Sequence, residues 1–128
     1  MKLCRMLGGL KYDIITEHRI CILRGDSGTG KSLMFRTLDA YFSLEGAKSI
    51  YVDYNNYQVM PWLQGMVDCD YMFLDNADLY IARMDFDMLL KSNAECFIAS
   101  REMGLVDCEQ MGFYHVKYEN GTISMREG

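Results

Sequence analysis

Proline is almost missing from this chain: Pro61 is the single example in 128 residues. With no low-complexity stretch and no internal repeat beside it, nothing marks a linker, and residues 1–128 read as one domain. Histidine is scarce too, since His18 and His115 are the whole supply and neither neighbours a cysteine. The five cysteines, Cys4, Cys21, Cys69, Cys96 and Cys108, are widely spaced and form no C-x-x-C pair. That pattern argues against a zinc cage and for reduced thiols in a core. Long apolar runs are absent as well. No segment approaches the ~20 residues needed to cross a bilayer, and the apolar start, residues 1–9, is short and interrupted by Arg5, a poor signal peptide. Finally, positive charge is in deficit. The 13 Lys and Arg stand against 18 Asp and Glu, for a net charge of −5, and no basic residues cluster, so nucleic acid is not indicated as a partner. A cytoplasmic protein without a membrane span is the expectation.

Glycine, by contrast, recurs where it has a use. Gly25, Asp26, Ser27, Gly28, Thr29, Gly30, Lys31 and Ser32 make a complete G-x-x-x-x-G-K-[ST] run. Before it lies the short β-branched apolar stretch 19–24, and after it the helix-forming stretch 33–42. Strand, loop and helix therefore follow in order. The residue types suit polyphosphate binding. Backbone N–H groups must converge on the anion in conformations and at distances that side chains obstruct, hence the glycines. Lys31 neutralises the β and γ phosphates, Ser32 offers a hydroxyl to Mg2+, and the helix N-terminus adds partial positive charge. Leu33, next along, completes the cofactor-binding set.

The remaining pattern alternates strands and helices. A hairpin is expected over residues 2–7 and 10–16 around Gly8 and Gly9, strands at 49–53, 71–74 and 95–100, and a crossover at 58–66 limited by Pro61. A helix is expected over 85–91, with acids at its start and Lys91 at its end. Asn120-Gly121 between alternating runs at 113–118 and 123–126 is a strong hairpin signal. Together these predict an α/β fold: a three-layer α/β/α sandwich with a mostly parallel sheet, helices on both faces, and antiparallel hairpins at its edges.

Asp75, at the end of the buried run Tyr71 to Leu74, is placed to reach the metal that Ser32 helps hold. Asp53, after a similar but shorter run, is the competing candidate; Asp75 is preferred on its stronger apolar run. The pair GDSGTGKS and YMFLDNAD resembles the Walker A and Walker B motifs of P-loop NTPases. The 44 positions from Lys31 to Asp75 leave room for an intervening strand. That spacing is similar to the division containing ABC, AAA-type and STAND ATPases, here as a minimal single-domain member. The resemblance covers roughly residues 10 to 101 and implies the P-loop NTPase fold, ATP and Mg2+ as cofactors, and a role for Lys31, Asp75, Asn76, Asp78 and Arg101 in turnover.

Departures from that pattern set the expected activity. These families usually place a glutamate directly after the Walker B aspartate, and here Asn76 stands there. An amide does not take up a proton as a carboxylate does. Asn76 would instead orient water, or Asp78 supply the carboxylate from further along. The stretch 98–101 is similar to the strand that ends in a γ-phosphate sensor, a role open to Ser100 or Arg101. No ABC signature and no guanine-reading N-K-x-D follows, so ATP is favoured over GTP, with Tyr12 a candidate to stack on adenine. The eleven methionines read as adaptable filler. Three functions emerge: a slowly hydrolysing Mg-ATPase, a nucleotide-sensing or interaction module without turnover, and a small-molecule or nucleoside kinase. The kinase ranks lowest because no lid-sized basic insertion is present. A homo-oligomer or protein partner is an open expectation, since a second subunit would be one source of an arginine finger.

Overall fold

The computed structural model describes residues 1–24, 30–57, 69–80, 87, 89–100 and 109–128. Eight strands form one sheet: β1 (Lys2–Leu7), β2 (Leu10–Ile15), β3 (Ile20–Arg24), β4 (Ser49–Val52), β5 (Tyr71–Leu74), β6 (Glu95–Ala99), β7 (Met111–Glu119) and β8 (Thr122–Glu127). Their spatial order is β1-β2-β8-β7-β3-β6-β5-β4. The five strands β7, β3, β6, β5 and β4 are mutually parallel, while β8 returns antiparallel to β7 and β1 is antiparallel to β2. Strand β2 closes onto β8 in parallel, with Lys11 to Ile14 opposite Thr122 to Met125. One long helix, α1 (Lys31–Leu44), follows β3, a 3-10 turn spans Ala77–Leu79, and residues 87 and 89–91 are helical.

This architecture corrects the three-layer α/β/α sandwich expected from the alternation of apolar runs. Among the described residues 46% are strand and 22% helical, with two helices, and the mixed sheet curls into a half-barrel. The physical reason lies in the hairpins. Rather than decorating the edges of a flat parallel sheet, β1-β2 and β7-β8 join each other and carry their own alternating inner face into the core. Tyr12 and Ile14 of β2, Tyr114 and Val116 of β7, and Ile123 and Met125 of β8 all pack in one cluster with α1. The expected crossover at 58–66 lies outside the described residues; of the expected helix at 85–91, residues 87 and 89–91 are helical, and 85, 86 and 88 lie outside the described residues.

Helix α1 buries Met34, Phe35, Leu38 and Phe42, a one-sided stripe at helical spacing. These side chains cover Cys21 and Leu23 of β3, Phe73 of β5, and Phe97 and Ala99 of β6. Phe42 stacks on Tyr71 with ring centroids 3.8 Å apart, and Phe73 on Phe97 at 5.1 Å. The opposite face of the central strands holds Ile20, Ile22, Met72, Leu74, Cys96 and Ile98 against Ala77, Leu89 and Ala94. Burial on both faces explains why β3, β5 and β6 read as continuous apolar runs. The outer hairpins instead alternate. Of the cysteines, Cys21, Cys69 and Cys96 are free and buried, whereas Cys4 is exposed on β1 and is not a core thiol; Cys108 lies outside the described residues.

Candidate functional site

Gly30 is the residue that opens helix α1. It caps α1 at φ +88°, a left-handed backbone that side chains rarely adopt, and its carbonyl accepts the Met34 N–H at 2.9 Å. No side chain caps this end of the helix. The first-turn N–H groups of a helix have no intrahelical acceptor, and with the macrodipole they favour an anion. Lys31 is half-buried as the first helical residue; Ser32 and Leu33 are exposed beside it. Gly25, Asp26, Ser27, Gly28 and Thr29 lie outside the described residues, as does Arg101.

Asp75 follows β5 directly. Its N–H is held by the Val52 carbonyl of β4 at 2.8 Å, which fixes the backbone from the neighbouring strand. The side chain is only 4% exposed. Ser32 Oγ donates to Asp75 Oδ2 at 2.6 Å, joining residues 43 positions apart across the space between α1 and β5. Tyr51, on β4, donates its phenol to the same oxygen at 2.9 Å. Two hydroxyl donors thus satisfy a buried carboxylate oxygen. Burial, followed by the nearby Asp75 charge, pushes the Tyr51 phenol up to about 12, against a lowering hydrogen bond from Arg36. Tyr51 is therefore a proton donor to Asp75 throughout the neutral range. Arg36, one turn beyond Ser32 on α1, lies over the Tyr51 ring at 5.6 Å, and its guanidinium is pushed up by the Tyr51 hydrogen bond first and by Asp53 and Asp75 at longer range.

The competing acid has another employment. Asp53 Oδ1 accepts the N–H groups of Asn55 and Asn56 at 2.9 and 3.0 Å, and Asn56 Oδ1 accepts the Asp53 N–H at 2.8 Å, so Asp53 closes the turn after β4. Asn76 is exposed and adopts a left-handed backbone, φ +50°, as it opens the 3-10 turn; Asp78 sits half-buried within that turn. Ser100 follows β6, whose Ala99 lies opposite Leu23 of β3, so it too stands at the carboxyl edge of the sheet. Tyr12 does not stand there. It is 1% exposed in the core under α1, which removes it as a partner for adenine.

Among the described residues no three His, Cys, Asp or Glu gather in ligating geometry. The donor set at hand is one carboxylate and one hydroxyl, which fits Mg2+: this ion is held by one or two protein oxygens, with water and substrate phosphates filling the rest. Tyr51 and Arg36 were not singled out in the sequence, for Tyr51 is one of nine tyrosines and no spacing links it to Asp75.

No family model and no solved structure matches the chain. Over 65 residues, 51% of its length, it is 32% identical to the uncharacterized protein YddE of Bacillus subtilis strain 168. The match spans 8% of that protein's length. Among the described residues no helix is long and apolar enough to cross a membrane.

Proposed function

We propose that this chain binds Mg-ATP and hydrolyses it slowly, as one nucleotide-binding domain of P-loop NTPase type. The observation that carries the reading is the hydrogen bond from Ser32 to Asp75, which unites the Walker A serine and the Walker B aspartate that the sequence separates. The chain order agrees with it: β4 falls between β3 and β5 in sequence, within the gap from Lys31 to Asp75. Bound Mg2+ would neutralise charge on the β and γ phosphates. Ser32, its proton committed to Asp75, keeps its lone pairs for that ion, while Asp75 anchors the hydroxyl and adds negative charge behind it. Lys31 complements the phosphates, and Gly30 lets the backbone approach them. Gly25 to Thr29 and Leu33 belong to the same cradle in this reading.

Turnover is the weak element. Asn76 occupies the position of the water-polarising acid, and Asp78 and Arg101 are the remaining candidates for catalysis and γ-phosphate sensing. A nucleotide-sensing module without turnover is the second reading, favoured by that amide and by its exposed place on the turn. Purified protein given Mg-ATP should release phosphate at a slow steady rate that Lys31→Ala abolishes. Binding with no release leaves the sensor; no binding at all rejects both. ATP in preference to GTP, a cytoplasmic location consistent with four free thiols among the described residues, and a second subunit supplying an arginine belong to the same proposal.

A further inference from the structure

Strand β7 outruns the strand it flanks. Its register with β3 ends with His115 opposite Arg24, yet β7 continues to Glu119 and turns at Asn120 and Gly121, both at positive φ, into β8. Four residues, Val116 to Glu119, therefore project about 13 Å past the end of β3. They form a wall beside Gly30 and the start of α1. On β7 the side chains of Tyr114, Val116 and Tyr118 share one face, by the two-residue period of a strand. The first two are buried under α1, at 0% and 4% exposure, but Tyr118 is 51% exposed. A Cβ at Gly30 would meet the Tyr118 ring edge and Ile123 at 3.5 Å, so the phenol ring rests on Gly30 with much of its surface open.

Tyr118 also stands on a definite side of the phosphate site. Ser32 points to Asp75, just past β5, whereas Gly30 touches β7 and β8, and β5 and β7 lie on opposite sides of β3. If the metal-bound phosphates occupy the Ser32 flank, the nucleoside leaves by the other one. We infer that Tyr118 is the base platform of the site: the exposed ring, held by the β7-β8 hairpin and seated on Gly30, stacks against the nucleobase of the bound nucleoside triphosphate. This rests on the nucleotide-binding reading above and adds the residue that holds the base. Stacking is tolerant of base identity because every base has a π face, so Tyr118 supplies affinity for the nucleoside rather than a choice between adenine and guanine.

Calorimetric titration of wild type, Tyr118→Ala and Tyr118→Phe with Mg-ATP and with Mg-tripolyphosphate separates this role from support of the loop. Tripolyphosphate carries the phosphate chemistry and no base. Tyr118→Ala should weaken ATP about tenfold and leave tripolyphosphate unchanged, and Tyr118→Phe should preserve both. Equal weakening of both ligands by Tyr118→Ala makes the tyrosine a structural support and overturns the inference, as does no weakening of either. Wild type that binds tripolyphosphate as tightly as ATP has no base subsite, which overturns the inference while the phosphate site stands. Wild type that binds neither, or ATP binding indifferent to Lys31→Ala, overturns the phosphate site itself and the base platform with it.

Discussion

Asp75 Oδ2 accepts two hydroxyls, and the two donors have different consequences when removed. On the proposed reading Ser32→Ala would remove a ligand for Mg2+ as well as a hydrogen bond, so Mg-dependent ATP affinity should fall more than tenfold while affinity measured in EDTA changes little. Tyr51→Phe removes only a donor to a buried acceptor. It should lower unfolding free energy by about 1–2 kcal/mol, read from chemical denaturation, with a smaller effect on Mg-ATP. The same variant has an alkaline signature. Folding raises the Tyr51 phenol from its ordinary 10 to about 12, so its contribution is fully present below pH 10 and is lost as pH climbs through 12. Tyr51→Phe should therefore show a shallower loss of stability across pH 10 to 12. At this scale spacing in the sequence singled out Gly30, Lys31, Ser32 and Asp75, and the structure joins Ser32 to Asp75 by a hydrogen bond. The sequence was silent on Tyr51 and Tyr118, whose places depend on which strands lie side by side.

Arg19 shows how one element is tied to another. Entering β3, its guanidinium donates to the Ala94, Leu89 and Leu90 carbonyls at 2.7, 3.0 and 3.2 Å, and twice to Gln110 Oε1. The cation thus covers the carboxyl end of the helical residues 89–91 and fastens it to the sheet. Arg19→Met should cost about 2 kcal/mol of stability, seen in denaturant unfolding, and leave nucleotide affinity intact. Gly112 on β7 is a tighter constraint, because a Cβ there would run into the His18 ring. Gly112→Ala should destabilise by about 1–3 kcal/mol, whereas Gly9→Leu, open but at φ +82°, should show only the cost of its backbone. The strands were legible as elements because β3, β5 and β6 are apolar on both faces and because Asn120-Gly121 and Gly8-Gly9 turn the hairpins. Helix α1 extends from Lys31 to Leu44, past the expected 33–42, since the motif residues Lys31 and Ser32 are themselves its first turn.

For the molecule as a whole, periodicity could not say how the pieces join. The strand signals predicted a parallel sheet between helical layers; the structure places β2 beside β8 and wraps both hairpins around the face that carries α1. Nothing in a local pattern encodes a pairing between residues 11–14 and 122–125, more than a hundred positions apart. The consequence is mechanical: α1, which opens with Lys31 and Ser32, shares its core with β2, β7 and β8. Ile123→Ala, in that core and beside Gly30, should lower stability by about 2–4 kcal/mol and weaken ATP binding together. ATP affinity with and without Mg2+ in wild type, Lys31→Ala and Asp75→Asn tests most directly whether Ser32 and Asp75 close a Mg-nucleotide site. Wild type should bind ATP tightly and with Mg2+ dependence, Lys31→Ala should not bind, and Asp75→Asn should keep a residual affinity that Mg2+ no longer improves. ATP affinity in Asp75→Asn that Mg2+ raises as it does in wild type would contradict that site.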